Sequence, residues 1–143
     1  MKENEVMPPV EYRFVKEFTP ETLRAAARLY AIAGWCSAEE AAGFLAGMFA
    51  GSFLVCSAWC NGEAAGFARA ISDGVSDAYI QDVVVAPEFR NRGIGGGMVS
   101  RLAEELRRHG VDWIGLVGVP GTESFYRDLG FTAQEGHTLW LLK

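Results

Sequence analysis

Histidine and cysteine are scarce in this chain of 143 residues, with two of the first and three of the second. That scarcity removes several chemistries at once. Cys36, Cys56 and Cys60 form neither C-x-x-C nor a multi-cysteine ligand pattern, and His109 and His137 have no paired ligand spacing, so no metal is expected. Nor does the chain hold a diagnostic nucleophile turn for hydrolytic chemistry. No stretch approaches the roughly eighteen apolar residues that span a bilayer, and the amino terminus lacks a basic segment ahead of an apolar signal core. A cytoplasmic protein with no membrane partner is the expectation. The phosphate-loop pattern G-x-x-x-x-G-K-[ST] is absent and the glycines do not follow G-x-G-x-x-G, which sets aside nucleotide hydrolysis and dinucleotide binding. Repeats and low-complexity tracts are missing too.

What is present suits one substantial core. Half of the residues are hydrophobic, and a chain of this length has little room for a second domain. Residues 1–9, acidic and proline-containing, read as a flexible segment ahead of a single domain over 10–143. Thirteen basic against eighteen acidic residues give a formal charge of -5, which argues against nucleic-acid binding and is compatible with a cationic substrate.

Val10–Glu17 reads as an edge strand, and Thr19-Pro20 caps a helix to about Ile32. Ser37-Ala-Glu-Glu40 is a capping box for a second helix through Phe49. Phe53–Cys60 and Ala64–Ile71 flank Asn61-Gly62 as a hairpin, and Asp73-Gly74 turns the chain into a strand over Ala78–Val85. After a third helix come a strand over Asp112–Val117, a short helix over Thr122–Leu129 and one or two terminal strands from Phe131. The result is an α/β fold with a mixed, mostly antiparallel central sheet flanked by helices.

The most informative segment runs from Val83 to Met98. Val83, Val84 and Val85 favour a strand, Pro87 interrupts pairing, and Ile94, Met98, Leu102 and Leu106 recur every four residues on one helical face. Gly93, Gly95 and Gly96 sit where strand becomes helix, so unpaired amides and the helix dipole face outward beside Arg90 and Arg92. Forked arginine contacts suit a diphosphate.

Arg90-Asn91-Arg92-Gly93-Ile94-Gly95 resembles the R/Q-x-x-G-x-G/A acyl-coenzyme A motif of the GCN5-related N-acetyltransferase superfamily. Ser124-Phe-Tyr126-Arg-Asp-Leu-Gly130-Phe131 resembles the family's late helix and following strand, and the resemblance covers most of residues 10–143. It implies an acyl-CoA N-acyltransferase fold. It also implies acetyl-CoA as acyl-donor cosubstrate, held by Arg90, Asn91, Arg92, Gly93, Ile94, Gly95 and Gly96 and by the backbone of Val83 and Val85, with a bulge near Asp82 and Val83. The implied reaction is direct acetyl transfer to a primary amine of a small molecule. Tyr126 is then the general-acid candidate, since a phenol with an ordinary pKa of about 10 can donate as charge develops on sulfur. Asp82 is the candidate for binding the ammonium or relaying its proton, and Tyr30, Trp35 and Phe44 are candidate acceptor-site residues. The family's asparagine after the fifth strand is replaced by Val117-Gly-Val-Pro-Gly-Thr122, where Thr122 reads as the helix cap. A noncatalytic acyl-CoA sensor, or acetylation of a protein or peptide amine, stands as the alternative. A homodimer and a monomer are both left open.

Overall fold

The fold begins at an edge and builds inward. In the computed structural model, which describes residues 8–143, strand β1 (Val10–Phe14) pairs only with β2 (Leu54–Cys60), antiparallel. Most of the amino-terminal segment anticipated for residues 1–9 lies outside the described residues. Between β1 and β2 come two helices whose starts are fixed by side chains. Thr19 accepts from the Thr22 N–H at 3.2 Å ahead of α1 (Pro20–Ile32). Ser37 accepts from the Glu40 N–H at 3.0 Å, and the Glu40 carboxylate accepts in return from the Ser37 N–H at 3.4 Å, a complete capping box for α2 (Ala38–Ala50).

Asn61 and Gly62, with φ 48° and 77°, make the left-handed turn from β2 into β3 (Glu63–Ser72). Asp73 accepts from the N–H groups of Val75 and Ser76, both at 2.8 Å, and turns the chain into β4 (Asp77–Val85). A single 3-10 turn over Pro87–Phe89 leads to α3 (Ile94–Arg108), followed by β5 (Trp113–Gly115) and α4 (Glu123–Asp128). The sheet has the order β1-β2-β3-β4-β5 and is antiparallel except where β4 meets β5.

Each face of the sheet carries its own core. Ile94, Met98, Leu102 and Leu106 of α3 are at most 1% exposed and pack with Cys56, Ala58, Ala70 and Ile80. On the opposite face Leu29 and Tyr30 of α1 and Leu45 and Phe49 of α2 pack on Val55, Phe67 and Val84. Cys56 and Cys60 serve as small apolar residues, and burial pushes the Cys56 thiol up to about 11. Among the described residues no helix is long and apolar enough to cross a membrane.

β4 changes phase in its second half. Its pairing runs Arg69↔Gln81 and then Phe67↔Val84, so β4 advances by one residue more than β3 and a bulge falls at Asp82 and Val83. The side chains register the slip. Ala78 and Ile80 belong to the α3 core, Val84 belongs to the α1–α2 core, and Val83 and Val85 pack on the α3 side. A period of two has lost one count.

Three expectations need correction. The fifth strand spans Trp113–Gly115 rather than Asp112–Val117; it stops where β4 nears its bulge, because a bulged strand bends away from a straight neighbour. The terminal strands expected from Phe131 onward are not formed. Leu139, Trp140, Leu141 and Leu142 are 59% to 103% exposed; β-propensity acts through packing on a pleated surface, and this run packs on none. Thr122 precedes α4, but its hydroxyl donates to the Val119 carbonyl at 2.6 Å instead of capping, since its φ of -105° and ψ of 7° are not the extended geometry of a capping residue.

Candidate active site

The start of α3 has no side chain to close it. Gly93 occupies the cap position with φ 75° and ψ 11°, and no side-chain cap bond is made. Asn91 is also left-handed, at φ 61°. By helix geometry the N–H groups of Ile94, Gly95 and Gly96 lack intrahelical acceptors, and the first ladder bond is Gly97 N–H to Gly93 C=O at 2.9 Å. Ile94 contributes only its backbone here, because its side chain is 1% exposed in the core. The glycines differ in purpose. A Cβ at Gly97 would run into the Tyr12 ring, so that residue is small for packing, whereas nothing lies within 4 Å of a Cβ at Gly93. Arg92 and Arg90 are exposed beside the turn, Arg92 with its guanidinium 5.7 Å from the Phe89 ring centroid.

The second element is the free side of β4. Ala86 N–H donates to Ala65 C=O at 2.8 Å, so Ala86 faces β3. Alternation then turns the backbone groups of Val83 and Val85 away from β3. On that side β5 reaches only as far as Tyr79. The Val85 carbonyl accepts from Arg90 Nε at 3.1 Å, which joins this edge to the glycine turn. α4 closes the same corner: a Cβ at Gly95 would come within 3.4 Å of Phe125 and 3.5 Å of Val85.

Asp82 occupies the bulge at φ 55°. A left-handed residue with a Cβ costs about 1–3 kcal/mol unless its surroundings hold it, and aspartate is among the side chains that tolerate it best. Here two donors converge on one oxygen, Arg69 Nε at 2.7 Å and the Tyr30 hydroxyl at 3.1 Å, both to Oδ2. Among the described residues no hydrogen bond reaches Oδ1. Tyr30 is 3% exposed, so it stands behind Asp82 rather than lining an open surface. Burial, with the Asp82 charge second, pushes its phenol far above the ordinary value and keeps it a donor. Trp35 packs edge-on against Tyr30 at 5.0 Å and is 48% exposed. Phe44 is 42% exposed on α2, and no ring contact joins it to this group among the described residues.

Tyr126 lies on α4, packed edge-on against Phe125 at 4.9 Å and Phe131 at 6.0 Å. Burial raises its phenol pKa, so the hydroxyl stays protonated and able to donate. Gly130, left-handed at φ 96°, follows the helix. Sequence reasoning missed Arg69. The available signal was a lone cation inside the apolar run Ala64–Ile71, where burial demands a partner. Among the described residues no group of three or more His, Cys, Asp or Glu is arranged to hold a metal ion.

Comparison with known proteins identifies the family and the fold. A GNAT family acetyltransferase of Streptococcus pneumoniae TIGR4 has the same fold, with a TM-score of 0.77 over 94% of this chain and 99% of that one at 19% identity. GCN5-related N-acetyltransferase 1, chloroplastic, of Arabidopsis thaliana is 46% identical over 67 residues, 47% of this chain and 34% of that protein. Serotonin N-acetyltransferase 2, chloroplastic, of Oryza sativa subsp. japonica is 44% identical over 70 residues, 49% of this chain and 35% of that protein. The matches thus span about a third of those two relatives' length. Residues 12–131, from the edge strand through the turn after α4, match the acetyltransferase (GNAT) family, and the chain with its bulged β4 and open α3 start belongs to that family.

Proposed function

We propose that this protein transfers an acetyl group from acetyl-CoA directly to a primary amine of a small molecule. The observation that carries the reading is the path of backbone left without a strand partner from Val83 and Val85 to the uncapped start of α3, with Arg90 bridging the two at the Val85 carbonyl. A long donor with a polar arm and a diphosphate fits such a path. The N–H groups of Ile94, Gly95 and Gly96, with Arg90 and Arg92, would hold the diphosphate, and left-handed Asn91 and Gly93 shape the turn that presents them. Val83 and Val85 would hydrogen-bond the arm, with Arg90 releasing or sharing the Val85 carbonyl.

The bound thioester supplies an activated acetyl carbonyl. Asp82 Oδ1, free of the donors that occupy Oδ2, is suited to bind the amine as its ammonium form. Exposed Trp35 offers that substrate an aromatic wall. Water at the half-buried carboxylate can take the first ammonium proton; the neutral amine then attacks the acetyl carbonyl to form the C–N bond, Tyr126 protonates the sulfur as the C–S bond breaks, and the second nitrogen proton returns through water to the Tyr126 oxygen. The relative described as a serotonin N-acetyltransferase supports including arylalkylamines in the acceptor panel.

The test is coenzyme A release from acetyl-CoA across primary amines, with direct coenzyme binding measured in parallel. Tyr126→Phe should lower kcat by about 10²–10⁴-fold and leave coenzyme affinity unchanged. A general acid works while protonated, so activity falls as pH rises through its pKa. Burial places that fall above the ordinary phenol range, and it should vanish from the Tyr126→Phe profile. Coenzyme binding without turnover on any amine would favour a sensor, and neither binding nor turnover would sink the reading.

A further inference from the structure

The bulge of β4 is a conformation the sequence does not favour, held by contacts from two elements, β3 and α1. Asp82 is left-handed at φ 55°, where glycine would be the unstrained residue. Arg69 pairs with it from β3 at 2.7 Å, with the two side chains 11% and 27% exposed. Tyr30 donates to the same oxygen from α1 at 3.1 Å. Arg69 also reaches the other way, its Nη1 donating to Ser52 Oγ at 3.3 Å, while the Ser52 hydroxyl donates to the Met48 carbonyl at the end of α2 at 2.8 Å. One guanidinium therefore joins the bulge to the carboxyl end of α2. A point cation could not hold both directions at once.

We propose that Arg69 is a positioning residue, a clamp that sets the β4 bulge, and through it both the direction of the Val83 and Val85 backbone groups and the orientation of Asp82. Arg69 touches neither acetyl donor nor amine; it acts through Asp82. The clamp rests on the reading of β4 as the donor's rail, and its failure can be separated from the failure of that reading.

The experiment compares wild type, Arg69→Met, Arg69→Lys and Asp82→Asn by amide hydrogen exchange, calorimetric binding of coenzyme A and steady-state kinetics. Arg69→Met should speed exchange at the Val84 and Ala86 amides, which face β3 just past the bulge, and weaken coenzyme A binding at least about tenfold, with far-UV circular dichroism unchanged. Arg69→Lys should recover part of both losses by keeping the charge. Asp82→Asn keeps a side chain that tolerates the left-handed conformation while removing the ion pair, and should fall between wild type and Arg69→Met. Wild-type exchange at Val84 and Ala86 in folded Arg69→Met overturns the clamp. Should Arg69→Met not fold, wild-type exchange and coenzyme affinity in Asp82→Asn overturn it instead. The exchange comparison needs no turnover, so a wild-type protein that acetylated no amine would fail the functional reading and still decide the clamp.

Discussion

The amino-terminal ends of α2 and α3 solve one problem in opposite ways. Both helices begin with backbone donors that lack intrahelical acceptors. At α2 the chain closes them from within: Ser37 and Glu40 exchange hydrogen bonds, and acidic Glu39 and Glu40 sit in the first turn. At α3 the cap is Gly93, no side chain bonds back, and the first turn carries no acidic residue. An end completed by its own side chains has nothing left to offer a ligand. One left open gives up local stability and retains donors for an anion, with Arg90 and Arg92 beside it.

The sharpest way to break the contrast is to give α3 an acid where α2 has its cap. Gly93→Asp introduces a side chain that tolerates the left-handed conformation, and its strain is offset by a favourable helix-dipole interaction of about 0.3–1 kcal/mol. Stability should therefore stay near wild type. Coenzyme A affinity in a calorimetric titration should fall on the order of 100-fold, as a carboxylate competes for the open amides and repels the diphosphate. Retained affinity would show that the α3 start is not the anion site.

A smaller effect separates the glycines within α3. Gly97→Ala should cost about 1–3 kcal/mol in denaturant unfolding, because its methyl meets the Tyr12 ring, and a double-mutant cycle should show a smaller cost for the same change in a Tyr12→Ala background. The smallest effect lies at the closed end. Ser37→Ala should lower stability by about 1 kcal/mol while leaving coenzyme A affinity unaltered.

The two ends also differ in how far the sequence discloses them. Ser37-Ala-Glu-Glu40 announces a cap because both partners lie in one turn. The α3 face is equally plain, since Ile94, Met98, Leu102 and Leu106 keep helical spacing and all become buried. The open, glycine-capped start of α3 was legible for the same local reason. Asp82 was singled out, but its commitment to Arg69 and Tyr30 was not foreseen, because those partners stand 13 and 52 residues away in sequence. Distant pairing leaves no period to count. The carboxyl-terminal run His137–Leu142 failed for a related reason: β-propensity describes a residue's fit to a pleated surface, and no such surface receives that run among the described residues.

The phase slip in β4 has a consequence for how this chain tolerates change in length. In an uninterrupted strand Val84 would point toward α3, and Val83 and Val85 toward α1 and α2; the extra residue reverses that assignment. Deleting one residue there would exchange the two sides for every position beyond it and straighten the edge that now turns outward. A single-residue gap at Asp82 in a comparison of related chains therefore signifies an inversion of inside and outside, whereas the same gap in an exposed turn signifies almost nothing.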